Sequence, residues 1–238
     1  MKSATESAKS TTSHQPTQVT LEQNKNMTLR LGDTVPNFTA DTTIGKIDFY
    51  DYLGDSWGLL LSHPGDFTPV CTTEIGRTAQ LSEEFKKRNV KALVVSVDTV
   101  KDHANWVVDI NEVHETTVDF PLIADPERSV ARLYDMIHPA ASTTATVRSV
   151  FIIDPDKKLR LTLTYPAAIG RNFNEIVRAI DALQVSAKHG VSTPVDWQPG
   201  TNVIVAGSIS TEEAIAKYPK GVQVVKPYLR YTPVPDGN

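Results

Sequence analysis

One segment of the sequence combines a cysteine with neighbours that could make it reactive. Cys71 is the only cysteine of the chain, and it lies in the run 62–74 shortly after Thr68 and Pro69. Thr68 is a good N-cap residue and Pro69 suits the first helical position, so Cys71 is expected in the first turn of a helix. The free N–H groups and the helix dipole there favour a thiolate, the nucleophilic form of cysteine. The alternative is that Cys71 is a small buried apolar residue.

A nucleophile at Cys71 needs further residues to stabilise charge. A thiol that ionises more readily is also less nucleophilic, so acidity alone gains only about threefold in rate. The site must therefore stabilise the charge on the leaving group, and Thr68 and Arg148 are the candidates. Arg148 shares a strand face with two apolar neighbours, where a charge needs an anion beside it. An exposed strand end remains the alternative for Arg148, and Arg171, just before a helix, is expected to have a surface role.

The elements that must position these residues are those of an α/β domain. From about residue 29, strand-like and helix-like segments alternate. The predicted strands are 57–63, 91–98, 120–124, 147–153 and 159–165, and the predicted helices are 68–88, 101–110, 127–134 and a helix that starts at Asn172. Cys71 then lies where a buried strand ends and a helix begins, the edge at which α/β sheets usually bind ligands.

Composition divides the chain into three parts. Residues 1–26 are rich in Ser and Thr and are predicted to be disordered. They have no apolar stretch typical of a secretory signal, and Glu6 and Glu22 give the wrong charge pattern for an organelle address, so we expect a cytoplasmic protein. Residues 27–190 form the predicted α/β domain. Residues 191–238, rich in Pro and Gly, are predicted to form a small C-terminal domain.

Composition also excludes several classes of function. The 238 residues are 40% hydrophobic and 22% charged, which is typical of a soluble globular protein with no membrane span. The net charge of −4 and the lack of basic runs argue against nucleic-acid binding. One cysteine permits no intramolecular disulfide. The six histidines show no metal-binding spacing, and all except His63 are expected to be surface or capping residues.

The segment around Cys71 resembles the active-site signature of the peroxiredoxins. Pro64-x-x-x-Thr68-x-x-Cys71 matches the family motif, and the run 62–74 is similar to the version found in the one-cysteine group, the peroxiredoxin 6 subgroup. Further matches lie at 54–58, 155–159, 170–173, 193–197 and 228–233, so the resemblance covers about residues 29–235.

The resemblance implies a thioredoxin-like fold with a C-terminal extension, and the reduction of hydrogen peroxide and alkyl hydroperoxides without metal, flavin or haem. Cys71 would become a sulfenic acid, which an external thiol or redox protein must reduce. Arg148 would steady the thiolate and the leaving group, and Thr68 would hydrogen-bond the peroxide. Pro64 would shield the sulfenate, and His63 would orient the substrate. The family also implies a homodimer that can assemble further.

Two other functions compete with this interpretation. Residues 54–58 satisfy the G-x-S-x-G pattern of hydrolases, but the predicted strand follows Ser56 instead of preceding it. Some similar proteins are described as phospholipases with a Ser/His/Asp set. Ser56 and Asp156 match two of its members, while Tyr50 occupies the histidine position. A redox sensor or chaperone is the second alternative, and it would stop after one equivalent of peroxide.

Overall fold

The computed structural model describes residues 28–235. The predicted N-terminal tail, residues 1–26, lies outside the described residues. Seven strands form the larger sheet: β1 (Thr39–Thr42), β2 (Gly45–Asp48), β3 (Trp57–Ser62), β4 (Val90–Ser96), β5 (Leu122–Ala124), β6 (Arg148–Ile153) and β7 (Leu159–Tyr165). The helices before and after these strands are α1 (Phe49–Leu53), α2 (Pro69–Gln80), α3 (Ser82–Lys87), α4 (Val100–His114), α5 (Ser129–Leu133) and α6 (Phe173–His189).

The strands of the larger sheet follow the order β2-β1-β5-β4-β3-β6-β7. Strands β3, β4 and β5 run parallel, whereas β6 is antiparallel to β3 and forms a hairpin with β7. Strands β3 and β6 are buried along their whole length, because helices cover both faces of the sheet. The predicted α/β class and the predicted 147–165 hairpin are both confirmed.

Each face of the sheet has its own apolar core. Helices α2, α4 and α6 pack on one face, with Ile75, Trp106 and Ile176 among the buried side chains. Helices α1 and α5 pack on the other face, with Phe49 and Val130. Cys71 belongs to the first core. Cys71 is therefore part of the layer that holds α2 against the sheet.

The prediction of one helix over 68–88 is wrong, because the segment forms two helices. Helix α2 ends at Gln80 and α3 begins at Ser82, with Leu81 between them at φ −94° and ψ 4°. The Leu81 N–H donates to the carbonyl oxygens of both Arg77 and Thr78. The second of these bonds spans three residues, as in a 3₁₀-helix, so the last turn of α2 is tighter than an α-helical turn. The β1–β2 hairpin is a further element that the sequence analysis did not predict.

The chain after α6 forms a second, four-stranded sheet. Its elements are β8 (Val191–Ser192), β9 (Val203–Val205), α7 (Thr211–Lys217), β10 (Gln223–Lys226) and β11 (Leu229–Thr232), and its strand order is β10-β11-β9-β8. Trp197 and Tyr218 are the largest side chains of its own core. Within residues 28–235, no helix is both long enough and apolar enough to cross a membrane.

Candidate active site

Cys71 lies in the first turn of α2, beyond the carboxyl end of β3. Strand β3 ends at Ser62, a loop of residues 63–68 follows, and α2 begins at Pro69. Thr68 is the N-cap residue, with extended backbone angles (φ −114°, ψ 146°), as the sequence predicts. The Cys71 side chain is completely buried. The cysteine thus has the predicted place at a strand-to-helix junction, but solvent does not reach its sulfur.

The guanidinium of Arg148 lies against this sulfur. Arg148 begins β6, which pairs with β3 and so brings the arginine beside the end of that strand. Its Nη1 donates to Sγ of Cys71 over 3.3 Å, and its Nε and Nη2 donate to the carbonyl of Ala167 over 3.0 and 2.6 Å. These bonds fix the guanidinium plane and keep positive charge beside the sulfur. Arg148 is 3% exposed, which excludes the exposed strand-end alternative.

Glu74 is the anion that the buried Arg148 requires. Its Oε2 accepts from Nη1 of Arg148 over 2.8 Å, and both side chains are 3% exposed. Glu74 follows Cys71 by three residues on α2, so the two side chains share a face of the helix. Glu74 is not among the site residues predicted from the sequence. The signal that could have identified it is its spacing, because Glu74 is a charged residue at a helix position that faces the core together with Cys71, Ile75 and Thr78.

Arg171 completes the cluster, and the expectation of a surface role for it is wrong. Its backbone N–H, Nε and Nη2 donate to Glu74 over 2.8, 3.0 and 2.7 Å. Its Nη1 donates to the carbonyls of Ser62 and Ser149 over 3.0 Å each. Burial lowers the pKa of Arg171, and the carboxylate of Glu74 opposes that change. Two guanidiniums and one carboxylate leave a net charge of about +1, which a thiolate at Cys71 would neutralise.

Thr68 and Pro64 belong to the loop that leads into α2. The Thr68 hydroxyl donates to the carbonyl of Gly65 over 2.9 Å, which leaves the lone pairs of its oxygen available to accept a hydrogen bond. Pro64 is half-buried. Phe67, between them, is 55% exposed and has a φ of 55°, a left-handed conformation that is strained for so bulky a residue. The loop is therefore held in one conformation, and the backbone strain at Phe67 costs free energy.

His63 is completely buried and its ring packs on Trp106, with 5.2 Å between the ring centroids. Burial lowers the pKa of His63 well below its usual range, and the positive charges of His103 and Arg171 lower it further. His63 is therefore neutral at physiological pH. His103 is also fully buried, with Nδ1 2.6 Å from Oδ2 of Asp66. The expectation that His103 is a surface or capping residue is wrong, because its side chain is buried against Asp66 in the loop after β3.

The serine of the hydrolase alternative is engaged in a structural hydrogen bond. Ser56 lies in the turn before β3 and its hydroxyl donates to Oδ1 of Asn89 over 2.8 Å. Tyr50, at the position where a histidine would be needed, donates its hydroxyl to the carbonyl of Val35. Asp156 is exposed, whereas Ser56 is buried. Among the described residues, no group of His, Cys, Asp and Glu side chains is arranged to hold a metal ion.

Comparison with known proteins identifies the family. Residues 31–162 match the AhpC/TSA family, and residues 182–221 match the C-terminal domain of 1-Cys peroxiredoxin. Over 208 residues the chain is 53% identical to the 1-Cys peroxiredoxin of Dictyostelium discoideum, an alignment that covers 87% of this chain and 86% of that protein. The chain is a one-cysteine peroxiredoxin of the AhpC/TSA family.

Two solved peroxiredoxin structures share the fold of this peroxiredoxin. The yeast mitochondrial 1-Cys peroxiredoxin superposes with a TM-score of 0.82 at 53% identity, over 86% of this chain and 99% of that one. The peroxiredoxin 6 of Arenicola marina superposes with a TM-score of 0.83 at 49% identity, over 88% and 100% of the two chains. They confirm the predicted thioredoxin-like fold with a C-terminal extension. The predicted activity is confirmed as well: this peroxiredoxin is a thiol-dependent peroxidase with a single cysteine.

Proposed function

We propose that Cys71 attacks the terminal oxygen of a hydroperoxide while Arg148 stabilises the negative charge that moves. The S–O bond forms as the O–O bond breaks, and the sulfur loses two electrons to become a sulfenic acid. The hydroxide or alkoxide that leaves takes a proton from water and departs as water or an alcohol. The observation that carries the proposal is the 3.3 Å contact between Arg148 Nη1 and Cys71 Sγ. A donor at this distance can bond the thiolate before reaction and the leaving oxygen during it.

The other residues of the motif have supporting roles in this proposal. Thr68 accepts from the second O–H of hydrogen peroxide, or shares the single O–H of an alkyl hydroperoxide with His63, through the lone pairs that its bond to Gly65 leaves available. His63, neutral and buried, orients the O–H group of the substrate. Pro64, half-buried at the start of the loop, excludes water from the sulfenic acid. Glu74 and Arg171 position Arg148.

The recycling step requires a thiol from outside the chain, because Cys71 has no second cysteine as a partner. One thiol displaces water from the sulfenic acid to give a mixed disulfide, and a second thiol releases Cys71 and departs as part of a new disulfide. The solved yeast mitochondrial relative is described as resolved through glutathione and thioredoxin systems. We extend those two classes of reductant, a small thiol or a redox protein, to this peroxiredoxin.

Peroxide consumption in the presence of a recycling thiol tests the proposal. The unaltered protein should consume many equivalents, and Cys71→Ser should consume none. Thr73→Ser is the matched control, because it changes an exposed neighbour on the same turn and keeps a hydroxyl. Turnover by Cys71→Ser would refute the assignment of the nucleophile. An unaltered protein that stops after one equivalent would indicate a sensor instead of an enzyme.

We propose a homodimer formed through β7, which can assemble further. β7 is one edge of the seven-stranded sheet, and its outer hydrogen-bonding groups have no neighbouring strand within residues 28–235. Edge strands of this kind pair readily with a second copy. Sedimentation velocity measures the mass directly: a dimer or a multiple of it supports the proposal, and a monomer at micromolar concentration contradicts it.

We also propose that the protein works in the cytoplasm. The support is the charge pattern of the first 26 residues, which has no Arg and includes Glu6 and Glu22. The yeast relative is mitochondrial, so the two proteins would differ in compartment. Cell fractionation of the full chain tests this proposal. Recovery in a sealed organelle fraction would contradict it.

A further inference from the structure

A buried polar cluster beside the active site includes two residues that have no part in the mechanism described so far. It contains His63 at the end of β3, Asp66 in the following loop and His103 in the first turn of α4. All three side chains are no more than 1% exposed. Because buried ionisable groups are costly, three of them in contact need a physical reason. The peroxidase mechanism uses His63 and leaves Asp66 and His103 unexplained.

The hydrogen bonds of His103 determine where its protons lie. Nε2 is 3.1 Å from the carbonyl oxygen of Ile123, which can only accept, so Nε2 carries a hydrogen. Nδ1 is 2.6 Å from Oδ2 of Asp66, a short contact that holds one proton between the two groups. Burial alone would lower the pKa of His103, but the hydrogen bond and negative charge of Asp66 raise it overall. Burial also raises the pKa of Asp66, and the His103 bond opposes that change, so the shared proton ties the His103 ring to the Asp66 carboxyl and fixes its orientation.

The second oxygen of Asp66 faces His63. Asp66 Oδ1 and His63 Nε2 are 3.6 Å apart, and neither atom has a partner within hydrogen-bond distance in the described part of the chain, while the backbone of Gly65 also interacts with the His63 ring. A buried polar atom without a partner costs about 1–3 kcal/mol. An approach of about 0.5 Å would turn this contact into a hydrogen bond. The backbone N–H of Asp66 donates to Oδ2 of Asp98 over 2.9 Å, so the loop holds the carboxylate in place.

We propose that Asp66 and His103 are positioning residues of the peroxidase site. Asp66, oriented by His103, accepts the Nε2–H of His63 and leaves Nδ1 of His63 as the hydrogen-bond acceptor for the O–H of the hydroperoxide. A neutral imidazole has one donor and one acceptor nitrogen, so a fixed donor fixes the acceptor. The inference rests on the proposed role of His63 in orienting substrate.

The charge of His103 has a second effect on His63. A positive charge at His103 disfavours a proton on His63, and a neutral His63 is the form that can accept. The charged groups that face the two rings are Asp66, Asp98, Asp102, Arg148 and Arg171. Removal of His103 leaves the Asp66 carboxylate without its counterion and next to His63. His63 would then take up a proton at a higher pH and lose its acceptor.

The first test uses the unaltered protein, so it does not depend on the folding of a variant. In the reduced protein with ¹⁵N-labelled histidine, the nitrogen chemical shifts report the tautomer of each ring. We expect a neutral His63 with hydrogen on Nε2, and a His103 with hydrogen on both nitrogens. Hydrogen on Nδ1 of His63, or a cationic His63 at pH 7, would overturn the inference and leave the assignment of Cys71 untouched.

The second test is the pH dependence of Cys71 oxidation by hydrogen peroxide, measured by stopped-flow fluorescence. We expect His103→Gln to react roughly tenfold more slowly than His114→Gln at pH 6, with a smaller difference at pH 8. His114 is the matched control, because it lies on the same helix and its Nε2 is also buried. Equal profiles for the two variants would contradict the inference.

His63→Gln separates the inference from the proposed function. A large loss of rate in His63→Gln supports the role of His63, whatever His103→Gln does. Suppose that Cys71 is oxidised slowly in His63→Gln, while His103→Gln and His114→Gln have the same pH profile of oxidation. Then only the positioning role of Asp66 and His103 is wrong. If His63→Gln reacts at the full rate, the proposed role of His63 fails and the inference fails with it.

Discussion

Arg171 donates three hydrogen bonds to Glu74, from its backbone N–H, Nε and Nη2, although 97 positions separate the two residues in the sequence. Glu74 also accepts from Arg148, so one carboxylate joins α2, β6 and the segment that precedes α6. The same carboxylate orients the guanidinium that contacts Cys71. Stability and reactivity therefore depend on one buried group.

Glu74→Gln should destabilise the protein by about 3–5 kcal/mol, because it leaves two buried guanidiniums without their shared anion. Urea unfolding measures the change as a lower midpoint with an unchanged slope. Glu83→Gln is the control, since Glu83 forms an exposed ion pair with Lys86, and we expect its unfolding curve to match that of the unaltered protein. A Glu74→Gln protein as stable as the control would show that the cluster contributes little.

Arg148→Lys should slow the oxidation of Cys71 by roughly 100-fold or more, because a lysine keeps the charge but not the fixed set of donors. Three nitrogens of Arg148 are engaged, with Cys71 and Glu74 on one side and Ala167 on the other. Stopped-flow kinetics with hydrogen peroxide measures the rate, and circular dichroism checks the fold. Full activity in a folded Arg148→Lys protein would show that charge alone is sufficient.

Local patterns predict the parts of this fold that are held by local interactions. The hairpin of β6 and β7 shows alternating residues around a turn at 154–157, and its predicted position is within one residue of the observed one. The start of α2 at Thr68 and Pro69 is equally local, although the Thr68 hydroxyl donates to the carbonyl of Gly65 and makes no side-chain cap hydrogen bond. The break at Leu81 has no such marker, because the apolar pattern continues through 68–88 while the chain turns.

Residues whose role depends on distant partners are the ones that the sequence analysis missed. Arg171 lies before a helix and looks like a surface residue until Glu74 is placed beside it. His103 lies in an ordinary amphipathic helix, and its partner Asp66 is 37 positions away. Arg148 was identified because a charge among apolar strand residues is visible locally, but the identity of its anion, Glu74, was not.

Oxidation of Cys71 should loosen the first turn of α2. The sulfenic acid adds an oxygen to a side chain that is completely buried, and overpacking of this kind costs about 1–3 kcal/mol. The N–H of Thr72, which donates to the carbonyl of Thr68 over 3.0 Å, should therefore exchange with solvent about tenfold faster after treatment with one equivalent of peroxide. Hydrogen exchange followed by mass spectrometry or NMR measures this rate.

The first turn of α6 is the internal control for this experiment. The N–H of Ile176 donates to the carbonyl of Asn172 over 3.2 Å, and its exchange should not change on oxidation. If Thr72 and Ile176 respond equally, oxidation loosens the whole domain. If neither responds, the buried site accommodates the oxygen without opening, and an external thiol must reach Cys71 by another route.

Gly76→Ala provides a test in which helix propensity and packing predict opposite results. Alanine is better than glycine inside a helix by about 1 kcal/mol, so propensity alone predicts a more stable protein. A Cβ at Gly76 would lie 2.2 Å from Cδ2 of His114, at the end of α4. Forced overpacking costs about 1–3 kcal/mol, so we expect Gly76→Ala to unfold at a lower urea concentration than the unaltered protein.

Gly207→Ala is the control for Gly76→Ala, because a Cβ at Gly207 meets nothing within 4 Å among the described residues. Its unfolding midpoint should stay close to that of the unaltered protein. The double variant Gly76→Ala with His114→Ala should recover part of the loss, since the clash is with the His114 ring. A Gly76→Ala protein more stable than the unaltered one would mean that α4 shifts at little cost, and that the contact between α2 and α4 does not constrain the helix that carries Cys71.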